Sequence, residues 1–325
     1  MAQMTLVQAI NDALKVEMRR DPTVVVMGED VGVNGGVFRA TEGLQQEFGD
    51  NRSIDTPLAE SGIVGTAIGM ALYGLKPVAE IQFDGFMPPA FDHIVSHAAR
   101  IRWRSRGRFS VPMVLRAPYS GGIRSPEHHA ESPEAYYAHT TGLKVVIPSN
   151  PYDAKGLLIS AIRDPDPIVF LEPKRIYRAF RTDVPEGDYT VPLSKAKVTR
   201  EGQDVTVVAW GAMHYISQRA IEKAVAQRID CELIDLRTIL PLDIETIINS
   251  VCKTGRIVVV QEAPRQCGVA SEIIALVNDK VIDMLQAPPV RVTSPDTVIP
   301  SSRMEDYYLP DVGRIVKGIQ KVVNF

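Results

Sequence analysis

One carboxylate, Glu60, heads the run SGIVGTAIGMALYG, in which no other residue through Gly74 carries a charge. Two roles fit such a placement. The first turn of a helix favours an acid through the helix dipole. A carboxyl group enclosed by apolar residues instead holds its proton more tightly, which suits proton transfer. Gly62, Gly65 and Gly69 recur at helical spacing. Each costs about 1 kcal/mol against alanine, a cost offset by close backbone approach, either to another helix of this chain or across a subunit boundary. Two adjacent histidines, His128 and His129, stand in EHHAESPEA, beside a glycine-rich loop. Most loop histidines are solvated, but such a loop can also hold a general acid or base. His93 and His97 stand four apart on an expected helix, without an H-E-x-x-H pattern or an evident third ligand, so no zinc site is expected. Arginines alternate through IRWRSRGRF. A spacing of two scatters charge around a helix, which reads as a solvated or interfacial helix end rather than a nucleic-acid surface. No G-x-G-x-x-G, Walker loop or G-x-S-x-G is present, and VGVNGGVF matches none of them.

Alternating elements must position these groups. TVVVMG, PVAEIQF, VPMVLRAP, LKVVIPS and PIVFLEP read as strands. Between them, GIVGTAIGMALYG, PAFDHIVSHAARIRWR and PYDAKGLLISAIRD read as helices, the last with Pro151 in its first turn. Strand–helix alternation predicts a mainly parallel sheet covered on both faces. From about Arg175 to Lys197 proline and charge interrupt the pattern, which marks a linker. Beyond it DVTVVAWG, CELIDLRTI, RIVVVQEA and PVRVTS resume as strands, with helices between them. The expectation is two α/β domains, 1–190 and 191–325.

Composition narrows the class. The chain has 325 residues, 45% hydrophobic and 23% charged, which suits globular domains with substantial cores. A net charge of −3 gives no reason to expect nucleic acid or a membrane surface as partner. No apolar stretch is long enough to span a bilayer. MAQMTLVQAINDALKVEMRRD reads as an amphipathic helix, with Leu6, Ile10, Leu14 and Met18 on one face, rather than as a leader. Three widely spaced cysteines suit a reducing compartment. The expected location is a prokaryotic cytoplasm, with the mitochondrial matrix as the alternative.

Six segments together carry a resemblance: GEDVGVNGGVFRATEGL, DTPLAESGIVGTAIGMALYGLKPVAEIQF, EHHAESPEA, VVIPSNPYDAKGLL, IRDPDP and IDLRTILPLD. In this order, across nearly the whole chain, they resemble the β subunit of the thiamine-diphosphate-dependent 2-oxo acid dehydrogenases, whose pyruvate and branched-chain members are α2β2 heterotetramers. The resemblance implies a pyrimidine-binding domain followed by a smaller transketolase-type C-terminal domain. It also implies that an α subunit holds the diphosphate and Mg2+ through a G-D-G motif. This chain has GDN at 49–51 and GDY at 187–189 but no G-D-G, so the cofactor is expected at an α/β interface.

By the same resemblance Glu60 shares a proton with N1′ of the aminopyrimidine. His129 serves proton transfer as the acyl group passes to the lipoyl dithiolane of an acyltransferase core, which docks on the C-terminal domain. Phe86 lies near the aminopyrimidine, and Glu29 is an acid at the subunit interface. A potassium site is implied at the carbonyls of Ala161 and Ile162, with Asp164, Asp166 and a carbonyl near Val111. The terminal carboxylate of Phe325 and nearby acids are expected to meet basic residues of the core.

SPEAYYAHTTGLKVV and FLEPKRIYR resemble branched-chain members, whereas VNGGVFRATEGL and DTPLAESGI resemble bacterial pyruvate members. The resulting expectation is a branched-chain 2-oxo acid as substrate, with pyruvate and then acetoin as alternatives. A non-catalytic docking subunit and a single-chain transketolase-like enzyme are the readings from outside this class.

Overall fold

The computed structural model describes residues 1–325. Its fourteen strands are β1 (Ala2–Met4), β2 (Val24–Gly28), β3 (Ser53–Asp55), β4 (Lys76–Glu80), β5 (Val114–Tyr119), β6 (Lys144–Val146), β7 (Ile168–Pro173), β8 (Thr182–Val184), β9 (Lys197–Arg200), β10 (Val205–Ala209), β11 (Cys231–Asp235), β12 (Thr238–Leu240), β13 (Ile257–Pro264) and β14 (Val290–Ser294). They form a seven-stranded sheet ordered β12-β6-β7-β5-β4-β2-β3, a five-stranded sheet ordered β14-β13-β10-β11-β9, and a ribbon of β1 with β8. Each large sheet is parallel except for one edge strand, β12 on β6 and β9 on β11. Helices cover both faces, which is why strands such as VVVMG are buried along their whole length and do not alternate. No helix is long and apolar enough to cross a membrane. All three cysteines are free.

The amphipathic first helix spans Leu6–Arg20 and buries Leu6, Ile10, Leu14 and Met18. The Pro151–Arg163 helix begins where Asn150 accepts a hydrogen bond from the Asp153 N–H.

Four expectations need correction. CELIDLRTI is two strands in two sheets. Arg237 takes a left-handed turn with φ 59°, and its N–H donates to Asp235 Oδ1 at 3.2 Å. The chain is thereby thrown from β11 onto the edge of the large sheet. PAFDHIVSHAARIRWR is a 3₁₀ turn at Pro88–Ala90, a π-helical turn at His93–Ala98 and one short α-helix at Ile101–Arg104. The wide turn is closed by Ala99 N–H donating to the Ile94 carbonyl at 3.1 Å. The 175–197 stretch contains β8, whose Val184 pairs with Ala2. The helix expected from Gly62 begins two residues earlier, at Glu60, and ends at Leu72.

The two halves share their cores. Phe170 and Met213 belong to one buried apolar cluster, and Leu115 and Trp210 to the other. With β12 completing the first sheet, the C-terminal half is joined to the N-terminal half by both hydrogen bonds and apolar packing.

A charged group lies at the centre of the large sheet. Arg116 on β5 donates to Glu80 on β4 at 2.7 Å, and to Glu172 on β7 at 2.6 and 3.0 Å. Tyr177 Oη donates to Glu172 at 2.5 Å. All four side chains are buried, and burial raises the Glu80 carboxyl against the pull of Arg116. Arg116→Ala leaves two buried carboxylates without their cation. It is expected to destabilise the fold by about 3–5 kcal/mol in denaturant titration. Adding Glu80→Gln and Glu172→Gln to it should recover part of the loss; no recovery would mean that packing, not charge, sets the cost.

Candidate active site at the carboxyl ends of the large sheet

Four of the expected residues follow four neighbouring parallel strands. Glu60 follows β3, Glu29 follows β2, Phe86 follows β4 and His129 lies in the loop after β5. The carboxyl ends of such strands are where ligands bind in α/β sheets. The sequence places these residues far apart; the sheet order brings them to one rim.

Glu60 is half-buried at the N-terminus of its helix. The next residue fixes that helix end, because Ser61 Oγ donates to the Pro89 carbonyl at 2.6 Å. Gly65 packs within the chain, since a Cβ there would lie 3.2 Å from the His93 ring. Gly69 faces open space, with nothing within 4 Å of that position, and Gly62 would meet only Ala59. The glycine helix therefore packs inside the chain on one side and presents a bare strip on another. Tyr73, at its end, is 93% exposed, and Trp103 is 84% exposed. Glu29 is half-buried; its carboxyl is raised by burial and then by the charges of Asp30 and Glu60.

Phe86 and His129 meet in an aromatic nest. The His129 ring lies 4.2 Å from Phe83, 5.0 Å from Phe86 and 4.2 Å from His128, centroid to centroid. This closeness depends on Gly85, where a Cβ would fall 1.7 Å from the His128 carbonyl oxygen. Burial pushes the His129 imidazole below the ordinary histidine value, helped by the charges of His128 and Lys174. His129 Nδ1 is buried and has no hydrogen-bond partner. His128 is exposed and its Nδ1 lies 3.3 Å from Glu127.

Several groups here were missed. Asp84 and Lys174 form a fully buried pair at 3.0 Å, directly behind the nest. Burial raises Asp84 to about 7, against the pull of Lys174, and lowers Lys174. Glu134 is also buried and pushed up to about 7. The available signal was an acid or a base at a strand end, as in FDGF and FLEPK, where an apolar residue would be ordinary. A second missed feature is a clamp from the C-terminal half onto the loop that carries His129. Glu305 accepts the N–H groups of Gly122 and Arg124 at 2.6 and 2.7 Å, and Glu262 accepts that of Gly121 at 2.5 Å. Ala130 packs against Ile299, Tyr308 and Leu309.

The other expected ligands sit elsewhere. Asp164 holds Lys144 at 2.6 Å, and Asp166 holds Arg102 at 2.5 Å. The Ala161 carbonyl accepts from Asp164 at 3.3 Å and the Val111 carbonyl from Met113 at 2.8 Å. Both carboxylates are thus already neutralised. The carbonyls of Ala161 and Ile162 lie in the last turn of a helix, where the dipole is negative. Contrary to expectation, a third possible ligand stands beside the two histidines: Asp92, which is exposed, lies 3.7 Å from exposed His97 and 4.0 Å from half-buried His93, and the three groups are close enough together to hold a metal ion. A cavity of about 840 Å³ lies between Phe91, Tyr136 and the loop at Cys267; it includes none of Glu29, Glu60, Phe86 or His129.

Residues 2–179 match the family described as transketolase, pyrimidine binding domain, and residues 194–315 match transketolase, C-terminal domain. The chain is 54% identical over 325 residues, all of both chains, to the pyruvate dehydrogenase E1 component subunit beta of Bacillus subtilis (strain 168). It is 54% identical over 324 residues to the protein of the same name from Acholeplasma laidlawii, covering 100% of this chain and 99% of that one. The Staphylococcus aureus protein of that name is 51% identical over the full length of both chains. A solved split-gene transketolase, an inactive β4 tetramer, shares the fold with a TM-score of 0.80 at 21% identity, covering 99% of each chain. With the strand-end rim, both domain matches and full-length relatives in agreement, the chain belongs to the β-subunit family of the thiamine-diphosphate-dependent 2-oxo acid dehydrogenase decarboxylating component.

Proposed function

We propose that this chain is the β subunit of an α2β2 pyruvate dehydrogenase decarboxylating component, completing a thiamine diphosphate site that neither subunit holds alone. The observation that carries the reading is Glu60: a half-buried acid on a strand-end rim, heading a helix whose Gly69 strip has nothing packed on it. A partner chain laid on that strip would exclude water from the carboxyl group, which favours its protonated form.

Pyruvate replaces the branched-chain substrate suggested by short segments. The full-length relatives at 51–54% identity carry the pyruvate name. FLEPKRIYR owes two of its residues to structure, since Glu172 pairs with Arg116 and Lys174 with Asp84.

The residues suit the cofactor. The aromatic pair Phe83 and Phe86 offers an apolar wall, and the orphaned His129 Nδ1 is a polar atom in need of a partner. When bound, thiamine diphosphate supplies the nucleophilic carbon and the electron sink for decarboxylation. Glu60 holds a proton at the aminopyrimidine edge. Glu29, whose carboxyl is raised by burial and by Glu60, can exchange a proton with that acid. His129, held neutral by its surroundings, accepts or returns a proton at the lipoyl sulfur. Mg2+ falls to the α subunit, because no G-D-G is present here. A potassium ion, if held, sits on the Ala161 and Ile162 carbonyls and takes no part in these steps.

Co-expression with an α subunit tests the assignment. The pair should turn over pyruvate with an artificial acceptor in preference to 3-methyl-2-oxobutanoate, and neither chain alone should do so. Glu60→Gln should cut kcat at least about 100-fold; full turnover by that variant would refute the role of Glu60 and favour a docking subunit without catalytic groups. Saturable thiamine diphosphate binding by this chain alone would favour a single-chain enzyme.

His129→Ala should spare artificial-acceptor turnover within a few-fold and lower lipoyl acylation by about 100-fold. Because burial lowers the His129 imidazole from the ordinary histidine value, acylation that needs its neutral form should persist through neutral pH and fall only as pH drops through the lowered value. A limb at or above the ordinary value would contradict that. Glu305→Ala, which frees the Gly122 and Arg124 amides, should speed their hydrogen exchange and reduce acylation about tenfold, with Glu305→Gln losing less. Unchanged exchange would show that the clamp does not hold the loop.

A further inference from the structure

The chain carries a slight negative charge, yet one groove on the C-terminal half is strongly basic. It encloses about 580 Å³ along the edge strand β14 and the Val312–Val323 helix. Arg265, Arg291, Arg314, Lys317 and Lys321 line it, with Asp296 as its one acid.

These cations are not spent on ion pairs. Arg291 donates to the Arg265 carbonyl at 3.1 Å and to Ser271 Oγ at 2.5 Å. Arg314 donates to the carbonyls of Tyr308 and Thr293. Arg265 reaches the Arg291 carbonyl at 3.5 Å. Every one of these acceptors is a neutral oxygen, so the positive charge is uncompensated. Asp296 spends Oδ1 on the Gln266 N–H at 2.6 Å. Elsewhere in the chain comparable bases are paired, as Arg200 is with Asp230 and Lys253 with Glu201.

The layout selects among anions. Arg314, Lys317 and Lys321 stand three and then four residues apart, on one face of the helix. They span about 10 Å along its axis. Arg265 and Arg291 face them from the ends of β13 and β14. A single phosphate would need converging donors; this is a row with an opposite wall, which suits charges repeated along an extended chain. Arg291 and Arg314 are half-buried and held by carbonyls, whereas Arg265 and both lysines are exposed. The groove is therefore preformed at its floor and free at its rim. Its sign is opposite to the acidic surface expected beside Phe325.

We propose that this groove docks an acidic, extended segment of a partner protein, independently of the active-site reading. The probe is a fluorescein-labelled hexaglutamate peptide, followed by fluorescence anisotropy with the full-length chain at low salt. Saturable binding is expected, weakening steeply as salt is raised. Lys317→Glu with Lys321→Glu should weaken it at least tenfold, with the melting curve unchanged because both side chains are exposed. Reversing the exposed Lys223 and Lys280 instead changes the net charge equally and should leave binding within twofold. Equal loss in both double variants would mean diffuse charge attraction and overturn the proposal, as would the absence of saturable binding. Inorganic triphosphate binding more tightly than the peptide would reassign the groove to a small polyphosphate.

Discussion

The ion triad Glu80–Arg116–Glu172 is the constraint on which the rest of the structure hangs. It lies across three adjacent strands, where no water can share its charge. Taking three charges from water is costly, and an apolar trio could well be as stable. What the triad imposes is geometry. A guanidinium forked between two carboxylates fixes β4, β5 and β7 in one register, and Tyr177 closes the remaining bond to Glu172. The loops bearing Phe86, His129 and Lys174 spring from those same three strands. The glycine-rich loop after β2 rests on it too, since a Cβ at Gly36 would lie 3.3 Å from Glu80 Oε1. The relative placement of the rim residues is thus set below the rim.

A similar logic explains the second tie. The His129 loop holds Ser120 and Arg124 at φ 73° and 57°, conformations that side chains disfavour. Such a loop needs to be held from outside, and Glu262 and Glu305 do so from the C-terminal half. The C-terminal domain is therefore part of the rim's support, which also makes sense of cores shared across the boundary.

The alternation of strands and helices was legible because buried parallel strands must be continuous apolar runs, and TVVVMG and PIVFLEP are such runs. Glu60 was legible as an acid out of place, although the role proposed for it came from resemblance. The clamp was not legible, because Glu305 lies 183 residues from Gly122 and no local period links them. The split of CELIDLRTI was hidden for another reason. Apolar runs announce strands but not the sheet they join, and here one left-handed residue, Arg237, decides. The broken helix at PAFDHIVSHAARIRWR keeps a helical pattern of apolar residues, which does not distinguish an α turn from a π turn. The basic groove was only partly visible, since Arg314, Lys317 and Lys321 show helical spacing while Arg265 and Arg291 come from other elements.

The distribution of acids bears on the proposal that the site is divided between chains. Asp84, Glu134 and Asp235 are enclosed within this chain and pushed up to about 7 by burial. Each is surrounded by side chains that the fold itself supplies, and their proton affinities are settled once the chain folds. Glu60 differs, because it stands at the edge of a bare helix strip, half in water. In the role proposed for Glu60, an acid that must hold a proton only when the cofactor is present would gain from being dried by the partner that brings the cofactor. Leaving one acid unfinished, on a rim otherwise fixed by the triad and the clamp, would tie its proposed proton chemistry to assembly.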